Sequence, residues 1–241
     1  MKHNLKWLML AVLLLPLVVA AVVLLMEGNG SRLNLGLGKR VGLVRIDDAI
    51  FSSREQLEQL RSLRKDKSIA GVLVQVNSPG GAIVPSQELY RELMRYRADA
   101  KPVVVAMGAI AASGGYYLAS AADRIFASPG TLTGGIGVFI QVSRVNRLLD
   151  KLGIEIEVLK AGRYKDVGSP HRKMTAEERR LLQEMLDDFH DQFVVDVCKA
   201  RRALDCDSVR ALADGRVFTG RQAVRLGLID TLGTPRDALA F

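Results

Sequence analysis

An uninterrupted apolar run near the N-terminus constrains this chain more than any other feature of its sequence. Residues 8–26 read LMLAVLLLPLVVAAVVLLM and contain no charged side chain. A run of about 19 apolar residues is long enough to cross the hydrocarbon core of a bilayer as a helix, and Pro16 is tolerated there. The run ends LLME at residues 24–27, without the small residues of a signal-peptide cleavage site. We therefore predict an uncleaved transmembrane anchor, with a cleaved signal peptide as the alternative.

The charges that flank this run predict its orientation. Lys2 and Lys6 precede it and Glu27 follows it, whereas the later Lys39 and Arg40 oppose the trend. The positive-inside tendency places the N-terminus in the cytoplasm and the rest of the chain outside. The predicted organisation is a cytoplasmic tip and membrane anchor at residues 1–27, a flexible Gly-rich tether at residues 28–40 and a globular domain at residues 41–241.

Composition and charge narrow the class of partner. The 241 residues are 49% hydrophobic, which is ample for a buried core, and the formal net charge is +8. The basic residues are interspersed with acids and form no stripe with aromatic residues, so nucleic acid is not an expected partner. A basic surface beside an anionic membrane is the simpler interpretation.

The cysteines are too few for a disulfide framework. On one continuous helix, Cys198 and Cys206 would lie about 12 Å apart along the axis, too far for a disulfide. A turn near Leu204 and Asp205 would be needed to join them. The pattern favours two free or buried thiols and leaves their pairing open.

Apolar runs of strand length alternate with segments of helical spacing, which predicts an α/β domain with a largely parallel sheet. Predicted strands lie at residues 41–46, 71–76, 102–107, 124–127, 137–142 and 154–159, and the main predicted helices at residues 53–67, 86–97, 144–152 and 175–202. Two Gly-rich turns, at residues 77–81 and 109–115, both follow strands. Because the carboxyl ends of parallel strands share one edge, we expect these turns to lie together there.

Ser113 is the candidate nucleophile. It stands between Ala112 and Gly114 at the start of a predicted helix, and its small neighbours leave room for a substrate. The amide of the following residue and the helix N-terminus could stabilise a developing oxyanion. The alternative is that Ser113 only caps the helix. In the other turn, residues 78–81 (SPGG) could supply a further amide donor or could be an ordinary turn.

A nucleophilic serine needs a base. His3 precedes the apolar run and His190 lies in the long amphipathic helix, so His171 is the histidine candidate. Lysine can serve instead when burial lowers its pKa. Lys165 follows a predicted strand in a polar loop, where by itself a lysine is usually a solvated surface charge.

The globular part resembles the signal peptide peptidase A family of bacterial membrane-bound serine peptidases, in its short form with one catalytic unit. The resemblance covers roughly residues 41–235. Its motifs occur in the family's order: NSPGG at residues 77–81, AASGGYYLA at 111–119, TLTGGIGV at 131–138, GRYKDVGSP at 162–170 and GRVFTGRQAVRLGLID at 215–230.

This resemblance implies a Clp-protease/crotonase-like fold and a Ser-Lys dyad. It assigns Ser113 as nucleophile, Lys165 as general base, and the backbone amides of Gly80 and Gly114 as oxyanion donors. It also implies a homo-oligomer, an octamer for the short form, in which serine and lysine come from neighbouring subunits. The implied activity is endoproteolysis of signal-peptide remnants and of other extracytoplasmic polypeptides. No cofactor or metal is expected.

One position departs from the family pattern. Gly135 stands where the family commonly has a serine whose hydroxyl orients the lysine, and Thr133 or a water is the candidate substitute. A slow enzyme or a non-catalytic oligomeric scaffold is therefore an alternative. Further alternatives are a SohB-like or Clp-like membrane quality-control protease, and a crotonase-type acyl-CoA enzyme, against which the predicted export of the domain argues.

Overall fold

The computed structural model describes residues 40–241, and the predicted anchor at residues 8–26 lies outside them. No helix in this described part is both long enough and apolar enough to cross a membrane.

Strands and helices alternate from the first strand to the fourth, as predicted. The strands are β1 (Arg40–Asp47), β2 (Ile69–Ser78), β3 (Val103–Ala112), β4 (Arg124–Ala127), β5 (Leu132–Gly134), β6 (Val217–Thr219) and β7 (Thr231–Leu232). The helices are α1 (Arg54–Lys65), α2 (Ile83–Ala98), α3 (Gly114–Ser120), α4 (Asn146–Leu152), α5 (Ala176–Ala200), α6 (Cys206–Leu212), α7 (Gly220–Arg225) and α8 (Pro235–Ala240).

The sheet is largely parallel and confirms the predicted α/β class. Its strand order is β1-β2-β3-β4-β7, and every neighbouring pair on this path is parallel. The first half of β3 pairs with β4, and its last three residues pair with β5, which also carries β6 in antiparallel register. The centre of the sheet is nearly continuous in apolar residues because strands covered by helices are buried on both faces.

The predicted strands at residues 137–142 and 154–159 do not form within the described part of the chain. Neither segment pairs with another strand of the described residues, so their backbone lacks the ladder that defines a strand. Their apolar side chains face solvent, with Phe139 84% and Leu159 90% exposed. Residues 137–175 therefore form an arm, with only the short helix α4 inside it, that carries large apolar side chains away from the core.

The cysteines correct the expectation of free thiols. Cys198 and Cys206 form a disulfide, with their Cα atoms 5.2 Å apart. The chain turns between the end of α5 at Ala200 and the start of α6 at Cys206, so the two residues do not share one helix. This turn removes the axial separation on which the expectation depended.

Candidate active site

Ser113 lies in a strained turn between β3 and α3. Its φ of 51° and ψ of −123° are unusual for a residue with a side chain and cost on the order of 1–3 kcal/mol. The conformation is held by its own N–H, which donates to the Gly134 carbonyl at 2.8 Å, and by its carbonyl, which accepts from the Tyr117 N–H at 2.8 Å. The Ser113 hydroxyl makes no capping hydrogen bond, so its role is not that of a helix cap.

The two Gly-rich turns meet at the carboxyl edge of the sheet, as predicted. Gly80 has a φ of +98°, and a Cβ built on it would lie 2.8 Å from the Ser113 Cβ and 2.6 Å from the Gly114 nitrogen. Only glycine permits this backbone approach. The turn after β2 therefore packs directly against the turn that carries Ser113.

The backbone amides around Ser113 differ in whether their N–H groups are already hydrogen-bonded. The Gly114 N–H has no hydrogen-bond partner among residues 40–241, as expected for the first residue of a helix. The Gly80 N–H donates to the Ser78 hydroxyl at 3.1 Å. The neighbouring Gly81 N–H has no partner within the same described residues, and a Cβ on Gly114 would lie 3.3 Å from the Gly81 nitrogen.

Within the described part of the chain, Gly114 and Gly81 thus have free N–H donors, whereas the Gly80 amide is hydrogen-bonded. The sequence could not distinguish these two glycines, because nothing in the pair Gly80-Gly81 tells which N–H is free. The difference arises from Ser78, whose hydroxyl accepts from Gly80 and donates to the Asp48 carbonyl.

A mostly apolar cavity of about 100 Å³, with Ser86 in its wall, opens beside Ser113 and Gly114. Tyr117 and Phe193 form part of its wall and stack with ring centroids 4.3 Å apart. The Tyr117 hydroxyl donates to Asp196 at 2.7 Å, and burial raises the pKa of Tyr117 above its ordinary value, so this wall carries no charge. The remaining apolar wall is made by Ile83, Val138, Phe139 and Phe189.

A wider cleft of about 670 Å³ also borders Ser113. Gly135 lines it and has a φ of +64°; a Cβ there would lie 3.3 Å from the Ser113 nitrogen. The candidate substitute for the missing hydroxyl, Thr133, is fully buried and donates to the Ala111 carbonyl at 2.7 Å. Its hydroxyl is therefore committed to the backbone and does not line the cleft.

Lys165 lies in an exposed turn of the arm. It lines neither cavity beside Ser113, and its ammonium group makes no hydrogen bond or ion pair within residues 40–241. The single chain therefore does not bring Ser113 and Lys165 together.

Ion pairs hold the part of the arm that follows Lys165. Arg172 bridges Asp166 at 2.8 Å and Glu178 on α5. The Arg172 guanidinium holds the pKa of Glu178 at about 2 and that of Asp166 below its ordinary value. Both carboxylates are therefore ionised at neutral pH.

Of the two histidines in the described part, His190 lines the cleft beside Ser113, and His171 does not. The His190 Nε2 donates to the Ala213 carbonyl at 2.7 Å. Its position on the cleft face of α5 was not expected from sequence. No group of three or more potential ligands among residues 40–241 is arranged to hold a metal ion.

Comparison with known proteins identifies two family matches. The model for peptidase family S49 matches residues 95–241, and that for Clp protease matches residues 44–131. A Synechocystis protein that carries a protease name is 42% identical over 202 residues, covering 83% of this chain and 72% of that protein.

Two further relatives extend this similarity. An Enterococcus faecium protein named as signal peptide peptidase SppA is 42% identical over 193 residues, covering 78% of this chain and 56% of its own length. A Methanocaldococcus jannaschii protein with a protease name is 37% identical over 247 residues, covering 96% of this chain and 79% of its own.

Proposed function

The chain belongs to peptidase family S49, and from that premise we propose that it is a membrane-anchored serine endopeptidase with Ser113 as nucleophile. One observation carries the proposal. Ser113 is held in a strained strand-to-helix turn; among residues 40–241 its hydroxyl makes no capping hydrogen bond, and the neighbouring Gly81 and Gly114 amides have no partner. Strain that the surroundings must maintain is typical of functional positions.

The proposed chemistry is acyl transfer. Lys165, in its neutral form, takes the Ser113 proton as the hydroxyl oxygen attacks the peptide carbonyl. The oxyanion receives hydrogen bonds from the Gly114 amide and, by the geometry above, from Gly81 in place of Gly80. Protonated Lys165 then gives its proton to the leaving amine, and water hydrolyses the acyl-enzyme.

Lys165 is proposed to act on Ser113 of a neighbouring subunit. Within one chain Lys165 is exposed and lies outside both cavities that border Ser113. The arm that carries it also exposes Leu148, Leu152 and Leu159, which is more apolar surface than an isolated arm normally shows to water. A homo-oligomer, an octamer by resemblance, would bury these side chains and complete the site.

The proposed substrates are extended polypeptides with an apolar residue before the scissile bond. The cavity of about 100 Å³ beside Ser113 is the natural site for that side chain, because its wall is mostly apolar and carries no charged side chain. The unpaired segment at residues 137–140 borders both cavities and could pair with a substrate backbone. The alternative edge at residues 81–84 is less suitable, because α2 begins at Ile83.

Signal-peptide remnants are the proposed natural substrates, since they are apolar and the Enterococcus relative carries a signal peptide peptidase name. The predicted anchor at residues 8–26 would keep the enzyme beside them. The disulfide between Cys198 and Cys206 supports an oxidising, extracytoplasmic setting for the domain.

A non-catalytic scaffold is the alternative that Gly135 favours, because no hydroxyl stands at that position beside Ser113. The full chain in detergent micelles, assayed with a fluorogenic peptide that has leucine before the scissile bond, separates the alternatives. We expect turnover by the native chain and its loss in Ser113→Ala and Lys165→Ala. No turnover by the native chain supports the scaffold. Full activity in Lys165→Ala refutes the base assignment and directs attention to His190, which lines the cleft.

A further inference from the structure

The strained conformation of Ser113 depends on a relay of backbone hydrogen bonds from the β5 side of the site. The Ser113 N–H donates to the Gly134 carbonyl at 2.8 Å, and the next residue, Gly135, donates to the Arg216 carbonyl at 2.9 Å. The Gly215 N–H donates to the Ile136 carbonyl at 3.0 Å. The backbone that holds Ser113 is thus itself held by the segment at residues 213–216, which we call the supporting loop.

The supporting loop packs closely on the segment that it holds. A Cβ built on Gly137 would lie 3.0 Å from the Gly215 Cα, and β5 and β6 pair Gly134 with Val217. Movement of the supporting loop would therefore be transmitted to residues 134–137, and from there to the Ser113 amide.

His190 anchors this loop. Its Nε2 donates to the Ala213 carbonyl at 2.7 Å, where α6 ends and the supporting loop begins. Among residues 40–241, His190 is the only side chain outside the loop that forms a hydrogen bond with it; the remaining side-chain bonds there join Asp214 and Arg216 to each other.

Accepting the proposed function of Ser113, we infer that His190 is a positioning residue for the nucleophile, acting through the supporting loop rather than by proton transfer. The carbonyl of Ala213 can only accept, so the imidazole must carry its proton on Nε2. The neutral Nε2–H tautomer and the imidazolium both meet this requirement. A role in positioning therefore requires a donor at this place and does not require a base.

The inference is tested with two substitutions, His190→Gln and His190→Asn, which both supply an amide donor but place it at different distances from the backbone. The glutamine Nε2 in His190→Gln can occupy nearly the place of the imidazole Nε2 and donate to Ala213, whereas the amide in His190→Asn is one bond too short. In the full chain we expect His190→Asn to lower kcat about tenfold with little change in KM, as for loss of a nucleophile's orientation. His190→Gln should retain nearly the native kcat.

Hydrogen exchange gives a readout that does not depend on turnover. Peptides that contain the amides of Ser113 and Gly135 should exchange faster in His190→Asn than in the native chain, and at the native rate in His190→Gln. Asp191→Ala is the matched control, because it removes the exposed Arg210 ion pair between α5 and α6 but leaves the supporting loop's hydrogen bonds in place. It should change neither kcat nor these exchange rates.

Each other outcome overturns the inference. Equal loss of kcat in both amide variants, with exchange at the native rate, would show that His190 transfers a proton. Native kcat and exchange in His190→Asn would show that the hydrogen bond has no positioning effect. If the native chain shows no Ser113-dependent cleavage, the proposed function fails, while the exchange comparison still tests the His190 relay.

Discussion

Gly80 packs against Ser113 so closely that a Cβ on Gly80 would lie 2.8 Å from the Ser113 Cβ. This contact joins the turn after β2 to the turn after β3, where the amides of Gly81 and Gly114 have no hydrogen-bond partner among residues 40–241. Because both turns end parallel neighbouring strands, the architecture of the sheet itself creates the site.

Gly80→Ala should greatly lower the peptidase activity. The new methyl would overlap Ser113 and the Gly114 nitrogen, and the φ of +98° is strained for alanine. We expect kcat/KM to fall at least about 100-fold, because a displacement of the nucleophile by about 1 Å is enough for such a loss. The free energy of unfolding should fall by about 1–3 kcal/mol. Peptide cleavage and thermal unfolding measure the two effects.

Gly130→Ala is the control for this substitution. A Cβ at Gly130 would meet no atom within 4 Å, so activity and melting temperature should both remain native. Retention of native activity in Gly80→Ala would contradict the placement of Gly80 against the nucleophile.

Phe189→Ala should change which residue is accepted before the scissile bond. Phe189 lines the apolar cavity beside Ser113, and its truncation enlarges that cavity. The ratio of kcat/KM for leucine over alanine substrates should rise about tenfold, in line with the discrimination that apolar pockets achieve. Met185→Ala changes an exposed side chain on the same helix that does not line the cavity, and should leave the ratio unchanged. An unaltered ratio in Phe189→Ala would place the specificity pocket elsewhere.

Acid should lower the stability of the protein by protonating the carboxylates of the ion pairs that Arg172 makes with Asp166 and Glu178. The pKa of Glu178 is lowered from its ordinary 4.5 to about 2, and the pKa of Asp166 is lowered as well, so both stabilise the folded state while ionised. This contribution is complete above the ordinary pKa and is lost as the pH falls towards about 2. The melting temperature should therefore fall more steeply between about pH 5 and 2.5 in the native chain than in Arg172→Gln. Parallel falls in both proteins would show that the bridge contributes no stability.

The meeting of the two turns was predictable from sequence. The position of Lys165 was not, because Lys165 lies in an exposed turn of the arm and the single chain does not bring it to Ser113. The segments at residues 77–81 and 109–115 include the ends of the largely apolar strands β2 and β3, and strand direction alone puts these ends on one edge. The available amide at Gly81 depends on the orientation of one Ser78 hydroxyl, which no sequence pattern specifies.

The arm is a second feature that the sequence pattern did not predict correctly. Residues 154–159 alternate as a strand would, with Ile154, Ile156 and Val158 similarly exposed, but the described chain offers them no strand to pair with. The Cys198–Cys206 disulfide depended on where α5 ends, and helix ends are harder to locate from sequence than helix centres.

Cleavage by mixed subunits tests the central claim most directly. Ser113→Ala and Lys165→Ala chains, co-expressed with different tags and purified through both, each supply the residue that the other lacks. If Ser113 and Lys165 of neighbouring subunits form one site, each variant alone is inactive and an evenly mixed oligomer regains about a quarter of native activity, the fraction of sites with both residues intact. Activity of the Lys165→Ala chain alone, or no activity in the mixed oligomer, would contradict the account.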